Sequence, residues 1–161
     1  EVCESKGIKT FIGTAQMSQI WSNRFDLVIS SEVIEHVFSP KEFVSALFNL
    51  VIPSGFVLVT GLGYEGFDIL TLQQESESVF PPHHLNFLSL NGFEQLFNEV
   101  GLSKTKIITP GVLDVDIVLT NKACSEFVKV LASRGDKALT DFQQFLVEHK
   151  LSSHIWILSR K

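Results

Sequence analysis

Two short, almost continuously apolar runs constrain this chain more than anything else in it: Phe25–Ser30 (FDLVIS) and Phe56–Thr60 (FVLVT). A strand with one solvated face alternates apolar and polar residues, whereas a run without alternation reads as a strand buried in a parallel sheet. Between the two, Ser39-Pro40-Lys41-Glu42 reads as a capping box with proline at the first helical position. Phe43, Leu47 and Leu50 then recur at helical spacing, and Pro53-Ser54-Gly55 stops the helix after about 12 residues. Strand, helix and strand in that order make the βαβ unit of a parallel sheet, so the fold class is α/β.

The rest of the chain fits around this unit. Ile8–Ile12 is a shorter β-type run upstream. Downstream, a loop rich in glycine and acidic residues leads to Pro81-Pro82. Asn91-x-x-Glu94 then opens a helix with Phe93, Leu96, Phe97 and Val100 on one face and Gly101 as its stop. Lys104–Thr109 reads as another strand and His154–Ser159 as the last. Two helices are expected over 113–133 and 136–149, parted by Ser133-Arg134-Gly135; Phe142, Phe145 and Leu146, with Leu139 at the margin, form the buried stripe of the second. This helical insert is either an ordinary covering layer or a homodimer surface. No repeat or low-complexity linker interrupts residues 1–161, which read as part of one domain. Glu1–Lys6 resembles the tail of a helix ended by Gly7, so the sequence opens inside an element and a preceding segment is expected.

Composition narrows the class. With 45% apolar residues, 14 Phe and 19% charged residues the chain is neither disordered nor fibrous. A net charge of −5 speaks against an extended nucleic-acid surface and leaves small molecules or a short nucleic-acid end as ligands. Cys3 and Cys124 are too few for a disulfide framework or a Cys-rich zinc site, which points to a reducing cytoplasm. No apolar run approaches the roughly 20 residues that span a bilayer, and no signal peptide opens the sequence, so no membrane partner is expected.

The sharpest constellation is Glu32-x-x-Glu35-His36. If a helix begins near Glu32, positions i, i+3 and i+4 share one face, and two carboxylates and an imidazole converge. Such a trio suits a divalent cation, and His83 and His84 lie ahead of the next helix as further donors. Unperturbed imidazole titrates near pH ~6.5, so His36, His83 or His84 also suits a general base. The alternative is structural: a glutamate bonded to backbone and a histidine packed beside the pocket. Trp21, Phe80, Phe87 and Trp156 could line an aromatic substrate pocket, but in a chain this rich in Phe they are expected in the core, and His154 in a structural role. Gly61-x-Gly63-x-x-Gly66 follows a strand and imitates a dinucleotide fingerprint, but Ser78–Asn86 is polar and broken by proline where that fingerprint needs a strand ending in an acid.

Taken in order, FDLVISSEVIEHVFSP, IPSG-FVLVT, PPHHLNFLS and FEQLFNEVGL resemble the second half of a class I S-adenosylmethionine-dependent methyltransferase, nearest the branch that includes the ubiquinone-biosynthesis O-methyltransferases. The resemblance runs from about Gly7 to Gly111, and TPGVLDVDIV and SSHIWILSRK resemble a subset of these enzymes. It implies a Rossmann-like fold, mostly parallel with an antiparallel final strand and lacking the first βαβ unit. It also implies methyl transfer from S-adenosylmethionine to an oxygen or nitrogen of a small molecule or sugar. In the family the SSEVIEH stretch faces cofactor and substrate, which makes Ser30, Ser31 and Glu32 cofactor contacts. The family's acid near the adenine would fall at Thr14, so Thr14 and Ala15 offer backbone contacts only. Ile52-Pro53-Ser54-Gly55 stands where the family has a kPGG-like turn, with one glycine replaced by serine. The glycine-rich loop and the ribose-binding acid would precede Glu1, so this half alone is expected to bind the cofactor weakly. A degenerate binding module is the non-enzymatic alternative. Related ubiquinone-pathway and small-RNA 3′-end enzymes hold a metal with an ExxEH trio and a later histidine, which implies Glu32, Glu35, His36 and His83 as ligands of Mg or Zn. Without the family's first two strands, Phe25–Ser30 has an apolar edge for Ile8–Ile12 or a second copy to cover.

Overall fold

In the computed structural model, which describes residues 2–102 and 104–161, β1 (Phe25–Ser31), β2 (Val51–Leu62), β3 (Lys104–Ile108) and β4 (His154–Arg160) form one sheet in the order β1-β2-β4-β3. β1 runs parallel to β2, and β4 runs antiparallel to both β2 and β3. Three strands thus share a direction and the final one opposes them, as the Rossmann-like expectation requires. The helices are α1 (Val2–Ser5), α2 (Pro40–Leu50), α3 (Phe67–Leu72), α4 (Leu90–Glu99), α5 (Asp114–Thr120), α6 (Glu126–Ala132) and α7 (Asp136–Glu148).

α2 is the crossover between β1 and β2. Its cap is the expected one: Ser39 Oγ accepts from Glu42 N at 3.4 Å, and Pro40 follows. Val44 and Leu47 of α2, with Phe93 and Phe97 of α4, bury Val57 and Ile157 on one face of the sheet. Lys161 closes the far end of α2 by donating from Nζ to the carbonyls of Phe48 and Val51 at 2.9 and 2.8 Å. The opposite face is bare: Phe25, Leu27 and Ile29 of β1, Phe56 of β2, and Trp156 and Leu158 of β4 are all exposed.

Several elements depart from expectation, each for a local reason. Ile8–Ile12 forms no strand, and Ile12 is 96% exposed. A strand exists only through a ladder with a neighbour, and this segment instead leads into a 3-10 turn, Ala15–Trp21, where Phe11 meets Trp21 edge-on at 4.9 Å. The direct pairing of Ile8–Ile12 with β1 therefore does not form. β2 starts at Val51, ahead of Pro53, because a bulge absorbs the proline turn: Phe25 pairs with Val51 but Leu27 with Phe56. α4 is capped two residues before Asn91, by Ser89 Oγ accepting from Gly92 N at 3.0 Å, and ends at Gly101 with φ +94°. The helix expected over 113–133 is two, because Asn121 Oδ1 accepts from Ala123 N and Ser125 then caps α6. On α7 only Leu146 is fully buried, and Phe145 lies outside, against His149. Glu1, at the head of the expected helix tail, lies outside the described residues.

Two buried aspartates sit where α3 and α5 approach the start of β4. Asp114, 2% exposed, accepts from Ser152 Oγ, Ser153 N and Gln143 Nε2 at 2.7, 2.8 and 2.7 Å. Asp68 on α3 is fully buried, and neither of its carboxylate oxygens has a hydrogen-bond partner. Burial pushes its carboxyl up from the ordinary aspartate range, and the charge of Asp114 adds to this. Ser153 and the first-turn amides pull the other way without reaching hydrogen-bonding geometry.

The two acids predict opposite outcomes. Asp114→Ala leaves Ser152 Oγ and Ser153 N buried without this acceptor and is expected to cost about 2–4 kcal/mol in denaturant unfolding. For Asp68 the folded value is raised, so its contribution to stability is complete below the unfolded value and lost as pH rises through the folded one. Asp68→Asn is therefore expected to raise the thermal midpoint by roughly 2–4 °C at neutral pH, and to leave it near wild type in acid, where the native carboxyl is already neutral.

Candidate active site

At the end of β1 the chain does not enter a helix. Glu32 takes a left-handed conformation, φ +52°, and Val33–His36 then closes a single turn in which His36 N donates to Val33 O at 2.9 Å. The shared helical face expected for Glu32, Glu35 and His36 is therefore absent, and the two glutamates part. Glu32 stays on the β2 side, its Oε1 accepting from Thr60 Oγ1 at 2.6 Å and lying 3.6 Å from His154 Nδ1.

Glu35 turns inward. It is 2% exposed and its Oε2 has no hydrogen-bond partner. Burial pushes its carboxyl up; its own amide pulls it down, the charge of Glu32 raises it again, and the imidazoles of His36 and His84 lower it. Gly61 makes the space: a Cβ there would lie 2.9 Å from Glu35 Oε2.

Two imidazoles face this carboxylate. His36 Nδ1 is 2.6 Å from the carbonyl of His83, and His84 Nδ1 is 2.5 Å from the carbonyl of Ser78. A carbonyl only accepts, so in both rings Nδ1 carries a proton, and in the neutral form of each ring Nε2 keeps the lone pair. The rings stand 4.7 Å apart. One donor atom each from Glu35, His36 and His84 falls within 4.8 Å of the others, an arrangement with metal-ligating chemistry in which each imidazole is steered by a backbone carbonyl. The 80s loop is pinned to the turn by Leu85 N and Asn86 N, which donate to Glu35 O, and by Asn86 Nδ2, which donates to Val37 O.

The remaining residues singled out in the sequence fall as follows. His83 contributes its carbonyl to His36 and stacks its ring on Phe80 at 5.3 Å. Ser30 is buried with an unpartnered Oγ, and Ser31 Oγ lies 3.2 Å from Thr60 Oγ1. Thr14 and Ala15 border a separate hollow beside Phe25 and Leu27 of β1, and Ser30, Ser31 and Glu32 do not line it. Trp21, Phe80, Phe87 and Trp156 are not in the core: none is buried, because Trp156 lies on the bare sheet face, Phe80 and Phe87 flank His83 and His84, and Trp21 meets Phe11. The glycine string serves close packing, since a Cβ on Gly66 would overlap Ser153.

Sequence reasoning missed a cavity of about 440 Å³ beside this cluster, between the end of β2, α3, α5 and the start of β4. Asp68, Asp114, His154 and Trp156 line it, as does Ser78, whose carbonyl holds His84. Trp156 Nε1 donates to His154 Nε2 at 3.0 Å, which leaves the other ring nitrogen of His154 facing Glu32. His154 thus borders a cavity in addition to its place in the sheet. Asp68 and Asp114 sit in the first turns of short helices, where acids are commonplace beside the helix dipole. No local signal distinguishes a solvated acid there from a buried one.

A family model described as a methyltransferase domain matches residues 4–107. Among solved structures, an S-adenosylmethionine-dependent methyltransferase from Thermotoga maritima is similar, with a TM-score of 0.65 at 14% identity, covering 99% of this chain and 67% of that one. A second, from Archaeoglobus fulgidus, has a TM-score of 0.57 at 13% identity, covering 99% of this chain and 79% of that one. The small RNA methyltransferase HEN1 gives 0.54 at 14% identity, over 92% of this chain and 15% of that one. No curated protein matches. At these identities the likeness to solved structures is one of fold, and among the described residues no helix is long and apolar enough to cross a membrane. With the family match covering residues 4–107 and the strand order and direction of the fold, the chain belongs to the class I S-adenosylmethionine-dependent methyltransferases.

Proposed function

We propose that these residues form the acceptor side of a methyl transfer from S-adenosylmethionine to an oxygen or nitrogen of a small molecule, assisted by a divalent cation on Glu35, His36 and His84. The observation that carries this is the convergence of one buried carboxylate and two imidazoles at the carboxyl end of β1, where open α/β sheets bind their ligands. The donor set fits a cation. Glu35 Oε2 is buried without a partner, and both imidazoles hold Nδ1–H on a carbonyl and so present Nε2. A mixed oxygen and nitrogen set suits Zn or Mn as well as Mg. When bound, such an ion supplies Lewis-acid charge that eases loss of a proton from an acceptor hydroxyl.

The protein's own part is position and proton handling. The sulfonium is already a good electrophile, so most of the help comes from holding the acceptor atom in line and away from water. The imidazoles of His36 and His84 are the bases grouped with Glu35, and the 80s loop that carries His84 is fixed to the turn through Asn86. Ser30, with a buried and unpartnered hydroxyl, and Ser31 and Glu32 beside it, are the residues of this strand end offered to the cofactor.

Calorimetric titration of Mn²⁺, Zn²⁺ and Mg²⁺ separates the ligand sets. Glu35→Gln and His84→Ala are expected to weaken binding of the preferred ion by about tenfold or more, whereas His83→Ala leaves it within about twofold. Equal affinity in all three proteins would overturn the metal assignment. S-adenosylmethionine titrated into the 161-residue chain is expected to bind weakly, because among the described residues no glycine-rich loop follows an N-terminal strand. Low-micromolar affinity would mean that the β1 end suffices by itself. At saturating cofactor, release of S-adenosylhomocysteine in the presence of hydroxylated or amine acceptors reads the transfer directly.

A further inference from the structure

The cavity beside the cluster contains an unpartnered acid. Asp68 is fully buried and neither oxygen is hydrogen-bonded, although it lines a space of about 440 Å³. A carboxylate removed from water needs a partner, and a lone one is costly. No cation nearby supplies it, and Ser153 and the first-turn amides approach without reaching hydrogen-bonding geometry. Asp114 is of the same sign and is already saturated by Ser152, Ser153 and Gln143. His154 is committed to Trp156 through Nε2 and faces Glu32 through Nδ1. Among the described residues lining the cavity there is no Lys or Arg.

We infer that this cavity is a subsite for the ammonium group of a small organic amine, with Asp68 as its counter-ion. An ammonium supplies both the charge and the N–H donors that the two orphaned oxygens lack. The volume falls in the usual range for small-molecule sites, and it is far larger than a bare metal ion needs. Leu62, Val112, Leu113 and Ile117 give it apolar walls, so the ligand carries a hydrocarbon or aromatic body behind the charged head. Trp156, 42% exposed, lines the cavity with an aromatic ring of the kind that attracts organic cations. A phosphate or carboxylate head would meet two buried aspartates and is disfavoured by the same charge.

The ligand class rests on the methyl-transfer reading only in so far as the amine is the acceptor. An ammonium nitrogen has no lone pair, so held on Asp68 it acts as an anchor. The methylated atom is then a second group of the same molecule, directed past Ser78 toward His84, whose Nδ1 bonds the Ser78 carbonyl.

The test is a binding measurement without cofactor or metal, so it stands or falls separately from methyl transfer. 2-Phenylethylamine, its neutral counterpart 2-phenylethanol and the anion 3-phenylpropanoate are titrated by calorimetry, with tryptophan fluorescence as a second readout. The amine is expected to bind about tenfold or more tightly than the alcohol, and the anion least. Asp68→Asn, which keeps the shape of the side chain, is expected to bring amine and alcohol to within about twofold. Leu113→Lys changes an exposed wall residue, brings a cation to the cavity, and is expected to remove the amine preference while leaving the fold intact. Equal binding of amine and alcohol by the wild type overturns the inference. So does an amine preference that survives Asp68→Asn, or one that survives Leu113→Lys. Cofactor binding with no amine binding would overturn this subsite alone, and amine binding with no methyl transfer would overturn the proposed function alone.

Discussion

The sheet depends on the insertion of its last strand between β2 and β3. β4 pairs with β2 from Phe56–Arg160 to Leu62–His154 and with β3 from Lys104–Arg160 to Ile108–Trp156. Without it β3 would have no neighbour, and Ile155 and Ile157, both fully buried, would leave the core open. The chain reaches this position only after α5, α6 and α7, so the central contacts of the sheet join residues far apart in sequence. Asp114 makes that return specific. Its hydrogen bonds to Ser152 and Ser153 fix where the strand begins, and its bond to Gln143 ties in α7. Lys161 then fixes the other end on the last carbonyls of α2, beneath which the first core layer lies.

The strands were legible because continuous apolar runs leave few alternatives, yet the same runs misjudged their surroundings. FDLVIS reads as covered on both faces, whereas Val28 packs inward while Phe25, Leu27 and Ile29 look outward into solvent. Ile8–Ile12 has the composition of a strand without a partner, and composition does not provide one. At the candidate site, the grouping of Glu32, Glu35 and His36 depended on helical periodicity. The φ of +52° at Glu32 breaks that periodicity and sends its carboxylate to Thr60. The choice between His83 and His84 was closed to sequence reasoning as well. It is decided by which ring finds a carbonyl, at Ser78, in a loop with no regular repeat.

Two acids, Glu35 and Asp68, are held with unpartnered buried oxygens. Burial raises both carboxyls, so each opposes folding at neutral pH relative to a neutral side chain of the same shape. Asp114, equally buried, is fully bonded and supports the fold. The contrast separates roles within one residue type. A saturated carboxylate is structural cement, whereas an unsaturated one retains the capacity to bind something else, a common reason for local instability at functional sites.

Ser78 belongs to both halves of this region, bordering the cavity with its own atoms and orienting His84 through its carbonyl. Two binding events that share one peptide group are thermodynamically linked. A guest that shifted Ser78 would move the carbonyl that holds His84 Nδ1, and an ion held by His84 would in turn fix one wall of the cavity. By reciprocity the free energy of coupling is the same in either direction, so the order in which the two sites fill changes the path and leaves the final affinity of the pair untouched.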